Sequence, residues 1–172
     1  MDLNKLLNDK GIKPKEKTET ISNWILDDPK MIDNLISFST NAKDAVKATC
    51  IEAIEFATKS NPSVSNLACF HFVTQTLKDK APRIKWESAK VIGNIAHLYN
   101  DNLDKAVNNL LENSEHSGTV VRWSAAFALG EIVKLKTKLN KNLIPAIEKI
   151  VNREEKNSIK NIYLMALKKV KS

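Results

Sequence analysis

Val121-Arg122-Trp123-Ser124-Ala125-Ala126-Phe127-Ala128-Leu129-Gly130-Glu131-Ile132 is the stretch on which the fold turns. Val121, Leu129 and Ile132 are separated by steps of eight and three, which places them on one stripe of an α-helix. The alanines beside that stripe are small enough to let a second helix come close. The pattern recurs without gaps in Val46-Lys-Ala-Thr-Cys-Ile-Glu-Ala-Ile54, Ile84-Lys-Trp-Glu-Ser-Ala-Lys-Val-Ile92 and Ile159-Lys-Asn-Ile-Tyr-Leu-Met-Ala-Leu167. The four copies start at residues 46, 84, 121 and 159, so the spacing is 38, 37 and 38 residues. A period of that length marks a stacked repeat.

Aligned in this way, the columns make physical sense. The first is always β-branched (Val46, Ile84, Val121, Ile159) and the second always basic (Lys47, Lys85, Arg122, Lys160). Eight residues after the first come Ile54, Ile92, Leu129 and Leu167, and eleven after it Ala57, Ile95, Ile132 and Val170. Ala53, Ala89, Ala125, Ala126, Ala128 and Ala166 fill contact positions between them. Gly93 and Gly130 share a column late in the helix, where glycine costs about 1 kcal/mol and so marks a tight packing contact.

A shorter amphipathic segment precedes each copy. Asp28-Pro29 reads as an N-cap with proline at the first helical position, opening a helix through Met31, Ile32, Leu35 and Phe38. Asn61-Pro62 opens the next, through Val64, Leu67, Phe70 and Leu77. Leu103, Ala106, Val107, Leu110 and Leu111 form the third, and Leu143, Ala146, Ile147, Ile150 and Val151 the fourth. A further helix around Ile21–Leu26, carrying Trp24, closes the N-terminal end, and residues 1–14 add a short helix or stay mobile. The expected organisation is a single all-α domain over residues 1–172. Capping helices occupy residues 1–27, and about four hairpins span roughly 28–60, 61–99, 100–137 and 138–172.

The second helices resemble HEAT repeats, in particular the HEAT-like type of many bacterial proteins and of phycobilisome lyases. That type reads approximately Asp-Pro-x-Val-Arg-x-x-Ala-Ala-x-Ala-Leu-Gly-x-Ile. Val121-Arg122 through Ala125-Ala126, Ala128-Leu129-Gly130 and Ile132 match it almost throughout, and Pro82-Arg-Ile84-Lys85 with Ala89, Ile92, Gly93 and Ile95 matches well. The likeness covers about residues 28–171 and is clearest over 82–132. It implies a right-handed α-α superhelix, an armadillo-like α-solenoid, whose second helices line a concave face. One element departs from the pattern: the Asp before Pro is replaced by Lys43, Ala81, Gly118 and Lys156. Asp79 and Glu154, each six residues before a basic column residue, could substitute, while Asn41 and His116 stand at that offset in the other copies.

Composition narrows the function by exclusion. The 172 residues are 42% hydrophobic and 27% charged, as in an ordered domain, and only 4 glycines and 5 prolines speak against a sandwich or barrel. Cys50 and Cys69, inside apolar patterns 19 residues apart, fit no zinc or redox spacing and read as buried thiols of a reducing compartment. His71, His97 and His116 form no ligand cluster with them, so no metal or cofactor is expected. No apolar run reaches the ~20 residues of a membrane span, and the N-terminus lacks a signal peptide's apolar core, so the cytoplasm is the expected compartment. No phosphate loop, nucleophile–base spacing or paired carboxylates point to catalysis. The helical-repeat DNA alkylation glycosylases use an essential aspartate, and none of the three later second helices carries one.

The candidate binding strip comes from neighbouring columns. Lys85-Trp86 and Arg122-Trp123 occupy the same two columns of adjacent copies. Trp86 shares a helix face with Lys90 and His97, and Trp123 shares one with Phe127 and Lys134. On a concave face such an aromatic and basic strip suits a protein or peptide partner. The alternative is a nucleic-acid-binding module that uses the net charge of +7, the basic column and the tryptophans. Both uses compete with plain packing of the tryptophans between repeats. Cofactor-lyase activity rests on the family resemblance alone, and nothing in the sequence sets an oligomeric state.

Overall fold

A computed structural model describes residues 2–172. Among them it contains ten α-helices and no strand: α1 Leu3–Asn8, α2 Pro14–Asp27, α3 Met31–Thr40, α4 Asp44–Ser60, α5 Leu67–Thr76, α6 Pro82–Ile95, α7 Leu103–Asn113, α8 Thr119–Lys134, α9 Asn140–Arg153 and α10 Asn157–Lys171. None is long and apolar enough to cross a membrane. The even-numbered helices α2, α4, α6, α8 and α10 lie side by side in sequence order and pack closely on one another. The odd-numbered helices α3, α5, α7 and α9 form a second layer and touch each other far less. A two-layer stack with one layer tight and the other splayed must curve, with the tight layer on the inside. The inner face is therefore built from the even helices, which carry the repeated motif.

The apolar stripe predicted from spacing is the core. Ile51, Ile54, Ile92, Ile95, Leu129 and Ile132 are buried, as are Ile32, Leu35, Phe70, Val73, Leu110 and Ile147 from the outer layer. Ala53, Ala89, Ala125, Ala126 and Ala128 are buried at the contacts between inner helices. The N-terminal pair is more regular than the sequence suggests. α2 begins at Pro14 and joins the inner layer as a full member against α4, and α1 packs beside it.

Two helix starts differ from expectation. Asp28 does accept a hydrogen bond from a backbone N–H, that of Lys30 at 3.1 Å, but α3 begins only at Met31 after a tight turn. Asn61-Pro62 opens a 3₁₀ turn at Pro62–Val64, not α5. The chain then extends through Ser65, and Asn66 caps α5 by accepting from Cys69 N at 2.8 Å. Two Asn caps five residues apart compete for the same helix, and the second is the one that starts it. Cys50 and Cys69 are buried and unpaired, and burial pushes both thiols up to about 12.

Ala126 is fully buried on the inner-layer helix α8. Ala126→Asp would bury a carboxylate without a partner and is expected to cost ~3 kcal/mol or more. Urea unfolding followed by circular dichroism checks this. A variant melting with the parent would mean that Ala126 does not face the core.

Candidate functional site on the inner face

The basic column, a natural suspect for anion contact, is occupied by the scaffold itself. Lys47 Nζ donates to Asp79 Oδ2 at 3.3 Å, across to the turn that opens the next hairpin's inner helix. Arg122 does the same two junctions later, donating from Nε and Nη2 to Glu154 at 2.9 and 3.3 Å. It also donates to the carbonyls of His116 and Ser117 in its own turn. Lys85 donates to Leu77 O and Asn113 Oδ1, both at 3.0 Å, and burial holds its pKa below the ordinary lysine value. Asp79 and Glu154 thus do replace the missing acid, but each pairs with the basic residue of the preceding copy rather than its own. Spacing along the chain could not show a bond made across the stack.

The residues six positions before the basic column have a second, local task. Asp79 Oδ1 accepts from Ala81 N at 3.1 Å, His116 Nδ1 from Gly118 N at 2.9 Å and Glu154 Oε1 from Lys156 N at 3.0 Å. Asp, His and Glu are unlike in sequence but serve alike, each satisfying the N–H two residues on. Burial alone would raise the Glu154 carboxyl, but the bonds from Arg122 and Lys156 outweigh it and hold its pKa below the usual range.

With Lys85 and Arg122 tied into turns, the rest of the predicted strip divides in two. On α6, Trp86 is half-buried and donates Nε1–H to Glu87 Oε1 at 2.7 Å. Lys90 sits between two carboxylates on the inner layer, with Nζ 2.7 Å from Glu87 and 3.7 Å from Glu55. Glu87 is almost wholly buried, and burial raises its pKa despite Lys90 and Trp86. His97 lies beyond α6, which ends at Ile95, in a 3₁₀ turn over Ala96–Leu98, and is exposed. The acids Glu52, Glu55 and Glu87 are buried or half-buried on the inner layer. Glu52 accepts from Thr18 Oγ1 and from Arg83, both at 2.9 Å, and so links α2, α4 and α6.

On α8 the strip is apolar and open. Trp123 is 40% exposed and stacks on Phe127, with centroids 6.2 Å apart and planes 10° from parallel. Lys134, at the end of α8, pairs with Glu131. Phe127 lies flat over Gly93 of α6, where an added Cβ would sit 2.3 Å from its ring. Gly93 is therefore the tight contact its column predicts. Gly130 is not: a Cβ there would meet Ala166 at 3.5 Å and Ile162 at 3.6 Å, ordinary contacts. Beside Gly130 a cavity of about 190 Å³ opens between α8 and α10, lined by Phe127, Lys134, Ile162, Met165 and Lys169 among others. A larger opening of about 610 Å³ lies between α9 and α10, outside the predicted strip. No group of three His, Cys, Asp or Glu among the described residues could hold a metal ion.

No family model matches the chain, and no curated protein does. Solved structures do. A designed armadillo repeat protein in complex with the peptide (KR)4 superposes with a TM-score of 0.70 over 98% of this chain and 80% of that one, at 19% identity. The fold is an armadillo- and HEAT-type α-solenoid. The complex of CpcE and CpcF of phycocyanin lyase from Nostoc sp. PCC7120 matches the solenoid with a TM-score of 0.72, covering 96% of this chain and 97% of that one at 16% identity. At such identities the likeness is one of fold.

The two glycines should respond in opposite directions. Gly130→Ala adds helix propensity without a clash and is expected to stabilise by roughly 0.5–1 kcal/mol. Gly93→Ala must displace the Phe127 ring and is expected to destabilise by about 1–3 kcal/mol. Thermal melts of the pair decide it; equal shifts of one sign would contradict the contact at Gly93.

Glu154 adds a pH dependence of definite sign. Its folded pKa lies below the unfolded value, so its contribution is complete above about pH 4.5 and is lost as pH falls through the folded pKa. Glu154→Gln should therefore trail the parent in urea at neutral pH, and the gap should narrow towards pH 3. A gap that widened in acid would mean the ion pair with Arg122 does not set this carboxyl.

Proposed function

We propose that the chain is a non-enzymatic scaffold that binds another protein, as a peptide segment laid along its inner face. The observation that carries this is Trp123, an exposed tryptophan stacked on Phe127 beside an open cavity on the inner layer. Exposed aromatics at the edge of a groove are the usual anchors of protein contact. The equivalent column holds Ala48 in one copy and Asn161 in another, so folding does not require a large side chain there. A designed protein of this fold is known in complex with a peptide, which supports a peptide as the class of partner. Lys90, Lys134 and Phe127 join Trp86 and Trp123 in the proposed surface, while Lys85, Arg122 and His97 drop out of it.

Nucleic acid is the weaker partner. Three of the four basic column residues spend their donors on the scaffold, and the inner layer carries Glu52, Glu55, Glu87 and Glu131 where a phosphate chain would run. The test uses a displayed random-peptide library and a labelled single-stranded oligonucleotide. Trp123→Ala is expected to weaken the selected peptides about tenfold or more, with little change in melting temperature. Oligonucleotide binding that falls steeply with salt, in the absence of any peptide binder, would instead favour the nucleic-acid function.

A further inference from the structure

Superposing the repeats on themselves shows what is missing from one of them. At each junction the residue six places after the first column meets the residue nine places after it on the preceding inner helix. Between α4 and α6 this pair is Glu55 and Lys90, an ion contact at 3.7 Å. Between α6 and α8 it is Gly93 and Phe127, a ring lying directly on a glycine. Between α8 and α10 the pair is Gly130 and Met165, and here the contact is not made. Met165 is 67% exposed, Gly130 is buried against Ala166 and Ile162, and the 190 Å³ cavity opens beside them, next to Phe127 and Met165.

We propose that this cavity receives an aromatic side chain from a bound peptide, seated between Phe127 and Met165 in the room that the exposed Met165 leaves unfilled, with an acidic residue beside it. The proposal rests on the inner face being the binding surface, and it specifies one pocket and its occupant. The floor is apolar, made by Ile162 and Ala166 of α10 where they close on Gly130. Phe127 forms one wall, and the Met165 thioether can close as the other, sulfur against ring. The volume is below the ~300–1,000 Å³ of small-molecule sites and suits a single side chain. The rim sets the charge of the neighbouring residue: Lys134 already has Glu131, while Lys169 makes no ion pair among the described residues. A carboxylate next to the ring would pair with Lys169.

The test takes peptides selected from a displayed library against the parent protein and measures them against four variants by fluorescence polarisation. Gly130→Met fills the cavity from within and should weaken binding about tenfold or more, while Gly130→Ala should leave it within about twofold. Lys169→Glu should weaken peptides that carry an acid beside the aromatic residue. The chain has 3 methionines, so a methyl-labelled sample offers a direct readout. The Met165 methyl resonance should move upfield under the ring current when peptide binds, and Met31 should stay put. Selected peptides without an aromatic residue, or full binding by Gly130→Met, would overturn the pocket. If Trp123→Ala weakens binding and Gly130→Met does not, the inner-face function stands and the pocket falls. If neither variant matters, or no peptide is selected, both fall. A parent that dimerises and is made monomeric by Gly130→Met would assign the cavity to a second copy and overturn a peptide partner, as would an oligonucleotide that shifts the Met165 methyl.

Discussion

The close approach of the inner helices is the constraint from which the rest follows. Ala89, Ala125, Ala126 and Ala128 keep the contacts between α4, α6, α8 and α10 thin, while the outer layer is spaced by Leu, Ile and Phe. Thin contacts on one side and bulky ones on the other bend the stack, and the bend makes the groove. Where the thinning goes furthest, at Gly93, a neighbouring ring occupies the room; at Gly130 the next helix closes on the glycine, Met165 stands exposed and a cavity opens beside them. The candidate site is thus a by-product of how the scaffold packs, and its shape is set by residues that never touch solvent.

The repeat and the core were legible because they depend on periodicity, which is written along the chain. The stripe through Ile54, Ile92 and Leu129 and the close contact at Gly93 could be read before any coordinates. What escaped was written across the chain. Nothing near Lys47 or Arg122 announces Asp79 or Glu154 as partner, because the partner lies 32 residues on, in another hairpin. His116 looked like a gap in an acidic column, yet its Nδ1 makes the bond that the acids make elsewhere. Asn61 and Asn66 are equally good caps by type, and only the extended backbone at Ser65 decides between them. Spacing places His97 on a helix face, but α6 ends at Ile95 and the residue stands in a 3₁₀ turn.

The net charge of +7 also means less than it suggests. Its most regular component, the basic column, is largely neutralised or turned towards carbonyls, and the middle of the inner face holds Glu55 and Glu87 around a single Lys90. Two carboxylates and one ammonium leave a local excess of negative charge, and burial, with a smaller push from the Glu52 carboxylate, raises the pKa of Glu87. The positive surplus is displaced towards α10, where Lys168, Lys169 and Lys171 close the helix and favour its C-terminal dipole. Of these only Lys169 lines the inner-face cavity, beside Lys134 with its partner Glu131, while Lys168 and Lys171 face the opening between α9 and α10.

The bonds from Lys47 to Asp79 and from Arg122 to Glu154 bear on how such a chain can be copied and recombined. Each bond starts in the inner helix of one hairpin and ends in the turn of the next. A duplicated hairpin brings a cation without its acceptor and an acceptor without its cation, and both are satisfied only when copies are joined in series. The segment that heredity can duplicate and the segment that energy holds together are offset by half a repeat. An inserted or exchanged copy is then tested at its two borders rather than within itself. Asp, His and Glu before the turn all keep the local turn bond, and where His116 stands the border closes instead through Lys85 and Asn113.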